Sequence, residues 1–115
     1  MDIQEVAKVA DILMGIHLKK KIPIMFRPDI PEYWGYCKFG FLSSGESVNM
    51  RIVFSTDLLE KSKEFILDII RHEVAHAMVI EEINYAIYVK ESVHGLRWHS
   101  KGKKIGLTNF ATVLS

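Results

Sequence analysis

Arg71-His72-Glu73-Val74-Ala75-His76-Ala77 contains the pattern His-Glu-x-x-His. In a helix, residues i and i+4 lie on one face, a single turn apart. His72 and His76 can therefore present two imidazoles to one metal ion. Glu73 sits a quarter-turn round, where its carboxylate can reach water at the ion without acting as a ligand. Two helix-borne nitrogens, a carboxylate general base and a third ligand from elsewhere are what zinc-dependent peptide hydrolysis requires.

The residues around the motif support the helix. From about Ser62 onward, Phe65, Ile66, Ile69, Ile70, Glu73, Ala77 and Ile80 fall at three- and four-residue spacings. A helix with this many apolar positions is largely buried. Polar groups buried there without partners cost several kcal/mol, and metal coordination is one way to offset that cost.

Upstream, Asp2 to about Leu18 has apolar residues at Ile3, Val6, Ala7, Val9, Ala10, Leu13, Met14 and Ile16, again helical spacing. Asp2 with Glu5 forms a capping-box pattern, and the expected role of this helix is to cover a sheet face. His17, followed by Lys19, Lys20 and Lys21, reads as a basic helix end rather than a ligand. Ile22 to Phe26 reads as a short strand, placed at an edge or a strand start by Pro23. Pro28 to Pro31 is a loop. Tyr33 to about Leu42 reads as an aromatic-rich strand, with Gly35 and Gly40 as bulges or close approaches. The turn Ser43–Ser47 leads to a third strand, Val48–Phe54, and the short Gly-containing connection implies an antiparallel hairpin. Asp57 with Glu60 is a second capping-box candidate for a helical turn to about Lys61.

Downstream of the metal motif, Glu81–Ser92 either extends the helix or forms a second one. Ser100 to about Phe110 reads as helical, interrupted by Gly102 and Gly106.

The composition is that of a soluble globular domain: 115 residues, 49% hydrophobic, 25% charged and a net charge of +1. One domain spanning 1–115 is large enough to bury a core without disulfides. The single cysteine, Cys37, excludes an internal disulfide and a cysteine-based zinc ribbon. No apolar run approaches the ~20 residues that span a bilayer. Asp2 and Glu5 within an amphipathic start exclude a signal peptide. The expectation is a cytoplasmic monomer with no membrane partner.

Several residues after His76 compete to close the site. A metzincin arrangement needs glycine and histidine where Val79 and Glu82 stand, so that class is excluded. Glu81 and Glu82 lie too near on the same helix to fold back. Glu91, His94 and His99 remain. His94 is favoured because the gap from His76 accommodates a helix end, a turn and a return, and because Gly95 permits close backbone approach.

With both motifs in view, Arg71–Ala77 followed by His94-Gly95-Leu96-Arg97-Trp98 resembles the SprT-like zinc metallopeptidases, the family that includes Spartan. The likeness extends upstream to the aromatic strand Tyr33–Phe41, to Arg51–Ser55 and to the Leu58-Leu59 pair. It covers roughly Asp2 to Asn109. The resemblance implies His72, His76 and His94 as Zn2+ ligands and Glu73 as general base. It also implies an α+β, zincin-like fold, in which an N-terminal helix and a small three-stranded, mainly antiparallel sheet pack against the His-Glu-x-x-His helix and a C-terminal helix. Many members carry a C-terminal zinc ribbon. With one cysteine and an end at Ser115, this chain is expected to be a minimal catalytic domain.

The expected activity is peptide-bond hydrolysis by a zinc-activated water, with Glu73 taking its proton and passing it to the leaving amine. Tyr85, Tyr88, Arg97 and His99 are candidates for stabilising the oxyanion, each with packing or solvation as the plainer role. Trp98 reads as a core anchor for the His94 turn. The partner is a protein or peptide, with DNA or DNA-bound protein implied by the resemblance alone. The alternative is a zinc-stabilised binding module without proteolytic activity, associated with nucleic acid through Lys19–Lys21, Arg97, Lys101, Lys103 and Lys104. Those runs read more simply as solvated faces.

Overall fold

A long helix, α2 (Lys63–Glu82), forms the axis of the molecule, and every larger element packs against it. The structure, a computed structural model, describes residues 1–30 and 34–110. Around α2 are arranged α1 (Ile3–His17), three strands β1 (Ile24–Arg27), β2 (Gly35–Phe41) and β3 (Ser47–Ser55), a 3-10 turn (Thr56–Glu60), a one-turn helix α3 (Tyr85–Tyr88) and α4 (Leu96–Ile105). This is the mixed α+β architecture expected from the sequence. Among the described residues, no helix is long and apolar enough to cross a membrane.

The capping box of α1 is formed as read. Glu5 donates its backbone N–H to Asp2 Oδ1 at 2.8 Å, and Asp2 N–H is accepted by Glu5 Oε1 at 3.1 Å. Its buried stripe is Val6, Ala10 and Met14, whereas Ile3 and Ile16 face solvent. The stripe packs chiefly on α2 rather than over the sheet.

The sheet has the order β1-β3-β2. The β2–β3 hairpin is antiparallel, as its short Gly45 turn (φ +94°) predicts. β1 instead joins β3 in parallel, with Ile24 opposite Ile52 and Arg27 opposite Ser55. β1 is thus an edge strand, in keeping with Pro23 just before it. The strand start read at Tyr33 and the end of the loop at Pro31 lie outside the described residues; β2 is described from Gly35. At Gly35 a Cβ would stand 2.9 Å from the Val53 carbonyl oxygen and 3.1 Å from the Phe54 ring. That close approach lets β2 lie flat against β3 beside α2. Gly40 follows a register shift after Lys38, the bulge anticipated for this strand.

The turn after β3 is capped differently from the expectation. Ser55 Oγ accepts from Asp57 N–H at 3.2 Å, so Ser55, and not Asp57 with Glu60, ends the strand and starts the turn. Ser62 then caps α2 by accepting from Phe65 N–H.

Beyond α2 the chain does not extend the same helix. Asn84 caps α3 by accepting from Ile87 N–H at 3.0 Å. α3 is held to the sheet by aromatic contacts: Tyr88 meets Phe39 and Phe41, and Tyr85 meets Phe41, at centroid separations of 5.2–5.5 Å. α4 starts at Leu96, earlier than read, and stops at Ile105 rather than near Phe110. Gly106 takes the left-handed conformation (φ +86°), and Leu107 N–H returns to the Gly102 carbonyl at 2.8 Å, ending the helix. Gly102 does not interrupt α4. A Cβ there would lie 2.8 Å from both Leu107 Cδ2 and Phe110 Cε1, so glycine is what lets the following segment fold back on the helix.

Candidate metal centre

His72 and His76 occupy consecutive turns of α2, and both are buried. His94 reaches them from the loop between α3 and α4. His72 Nε2 and His76 Nε2 are 3.2 Å apart, and His76 Nε2 and His94 Nε2 are 3.1 Å apart. The three ligand atoms all lie within 4.8 Å of one another. For zinc–nitrogen bonds of about 2.0–2.1 Å at tetrahedral angles, neighbouring nitrogens are roughly 3.3 Å apart. The two close spacings meet that requirement, and three nitrogen donors are a set that suits zinc. The residues therefore fit a single metal ion.

The electrostatics point the same way. Burial, followed by the neighbouring His94, pushes the His72 pKa down to about 4, partly opposed by Asp68. Burial, then His72 and His94, holds His76 well below its usual value. His94 is lowered by burial and by His99. All three rings are thus neutral at neutral pH, the state in which an imidazole nitrogen can donate to a metal.

Trp98 forms the floor of the group. It is 1% exposed, and its ring centroid lies 4.8, 5.4 and 4.7 Å from those of His72, His76 and His94. Its indole N–H donates to the His72 carbonyl at 3.3 Å. The anchoring role read for Trp98 is therefore physical: one ring from α4 touches all three imidazoles. The space left by Gly95 is used by the loop itself, since a Cβ there would meet the Ser92 carbonyl oxygen at 3.0 Å.

The other candidates for closing the site lie outside the three-histidine group and have partners of their own, although Glu91 borders the same cavity. Glu91 accepts from Arg97 Nε at 2.8 Å. His99 stacks on Phe110, with centroids 4.8 Å apart and planes within 7°. The oxyanion candidates have similarly local partners: Tyr85 and Tyr88 pack on β2, Arg97 pairs with Glu91, and His99 stacks. Of these, Tyr88 also borders the cavity at the site.

Glu73 is fully buried. It shares with His76 one wall of an apolar cavity of about 120 Å³ between β2, α2 and the loop before His94. Cys37 borders the same cavity; burial, and secondarily the Glu73 charge, raise its thiol pKa, which keeps it protonated and unreactive.

One supporting residue escaped the sequence reading. Asp68, one turn before His72, accepts from the backbone N–H groups of Thr108 and Asn109, both at 2.9 Å, with Arg71 4.0 Å away. It pins the segment whose Phe110 packs on Trp98 and His99. The available signal was an acidic residue on an otherwise apolar helix face, one turn from a metal-ligating pattern.

Searches of curated proteins and of solved structures return no match to this chain. The model of the SprT-like family matches residues 12–114, nearly the whole length. With the three histidines in one group and the expected α+β fold around them, the chain belongs to the SprT-like family.

Proposed function

We propose that the chain is a zinc-dependent endopeptidase in which His72, His76 and His94 hold the ion and Glu73 is the general base. The observation that carries this reading is the trio of imidazole nitrogens at metal-binding spacing, with Glu73 and His76 in the wall of one cavity. A bound zinc ion supplies Lewis acidity towards water and towards the scissile carbonyl. Glu73 takes a proton from the attacking water and returns it to the leaving amine. Trp98 keeps the three rings oriented from below. β2 is the sheet edge next to α2, and its residues Tyr36, Cys37 and Phe39 border the cavity. An extended peptide adding to that edge comes to lie beside Glu73 and His76.

The test is Glu73→Gln. The variant is expected to keep its zinc and to lose cleavage by about 10²–10⁴-fold, the usual contribution of a positioned acid–base group. If wild type cleaves no better than the variant across many unfolded substrates, the chain is instead a zinc-stabilised binding module.

Proteins bound to DNA are proposed as the substrate class on the family resemblance. Three of the basic residues in question are engaged locally: Lys21 with Asp11, Arg97 with Glu91 and Lys101 with Glu82. DNA is expected to stimulate cleavage of a DNA-bound protein, with an affinity that falls as salt rises. The absence of any salt-sensitive DNA binding would remove this substrate class and leave the peptidase reading intact.

A further inference from the structure

The cavity beside Glu73 and His76 extends past the reacting groups along mostly apolar side chains. Away from the polar groups of Glu73, His76, Glu91 and Ser92, its lining is mostly apolar, with Phe39 from β2, Val79, Ile80 and Ile83 from α2 and its C-cap, and Tyr88 from α3. The aromatic contacts of Tyr88 with Phe39 (5.3 Å) and Phe41 (5.2 Å) fix α3 and so keep the far wall in place. At about 120 Å³ it approaches the roughly 150 Å³ of an apolar protein cavity that takes up benzene. Along the apolar part of the lining water gains little, because each buried water needs two to four polar partners. An apolar guest gains contacts with every wall.

We propose that this cavity is a specificity pocket for a bulky apolar side chain, of leucine or phenylalanine size, carried by a substrate residue flanking the scissile bond. The inference rests on the peptidase reading and adds its substrate preference. Glu73 and His76 line the cavity, so a side chain seated there belongs to a residue next to the reacting atoms. Glu91 and Ser92 also border it. The Glu91 carboxylate is already bonded to Arg97 Nε at 2.8 Å, which leaves it a poor selector for a basic side chain.

Two measurements test the pocket. In a peptide library cleaved by the zinc-loaded protein, leucine, methionine or phenylalanine is expected at one flanking position, favoured over alanine at least about tenfold in kcat/KM, the scale of discrimination by apolar pockets. Val79→Phe fills the cavity from α2 and is expected to reduce that leucine-to-alanine ratio at least about tenfold. Independently of catalysis, N-acetyl-leucine amide is expected to shift the methyl resonances of Ile80 and Ile83 in wild type, and N-acetyl-glycine amide to leave them in place. Cleavage with no preference at either flanking position, or with a preference for basic residues, overturns the pocket and leaves the peptidase reading standing. Methyl shifts without cleavage of any peptide overturn the peptidase reading, and the specificity role with it, while showing that the cavity takes apolar side chains. Unshifted methyls overturn the pocket whatever the library shows.

Discussion

Zinc content is expected to fall from about one equivalent in the wild type to near none in His76→Ala, and cleavage is expected to fall to background. His76 Nε2 is the central nitrogen of the trio, 3.2 Å from His72 Nε2 and 3.1 Å from His94 Nε2. Its loss leaves two nitrogens where a catalytic zinc site uses three protein ligands. The same change removes the link between zinc and stability. An ion that binds only the folded chain stabilises it by about 2.7 kcal/mol at a concentration 100 times its Kd. For a domain of this size that is roughly ten degrees in Tm. A chelator should therefore lower the wild-type Tm by about that amount and leave the Tm of His76→Ala unchanged. Alanine is the best helix former, so α2 itself is preserved, which circular dichroism checks. A variant that kept a full equivalent of zinc and the wild-type response to chelator would sink the three-histidine site and bring Glu91 or His99 back as ligands.

What could be read from the sequence was local or periodic. The spacing of His72 and His76 and the apolar run around them required only helix geometry, and α2 starts where Ser62 signals it should. The capping box at Asp2 and the hairpin turn at Gly45 are contained in a few residues each. The parallel pairing of β1 with β3 was not legible, because it joins segments separated by the whole of β2. The start of α4 left no capping signal: Gly95 occupies the N-cap position without a side-chain hydrogen bond. Gly102 looked like an interruption because glycine inside a helix costs about 1 kcal/mol; the offsetting contacts with Leu107 and Phe110 exist only after the chain folds back. The same distinction holds at the candidate site. The order of motifs singled out His94, but the positions of its rivals depend on tertiary partners, Arg97 for Glu91 and Phe110 for His99. Asp68 gains its role from backbone groups at Thr108 and Asn109, forty residues or more along the chain.

Trp98→Ala is expected to have the largest effect on stability of any single truncation around the site, about 3–5 kcal/mol, the usual cost of removing a large buried aromatic. Trp98 is the largest fully buried side chain among the described residues, and its ring touches His72, His76, His94, His99 and Phe110. Against a total stability of roughly 5–15 kcal/mol for a domain of this kind, that loss should be plain as a lowered denaturant midpoint. Packing and positioning can be separated with Trp98→Phe. Phenylalanine restores much of the apolar contact but has no N–H to donate to the His72 carbonyl, a bond of 3.3 Å in the wild type. Trp98→Phe should therefore recover most of the stability yet bind zinc about 10–100-fold more weakly, the scale seen when groups that orient metal ligands are removed. Competition with a chromophoric chelator measures the affinity, and chemical denaturation of the zinc-free proteins measures the stability. If zinc affinity in Trp98→Phe equals that of wild type, Trp98 only fills space. If it falls while stability holds, the indole N–H helps to set the geometry of the imidazoles through the backbone of α2.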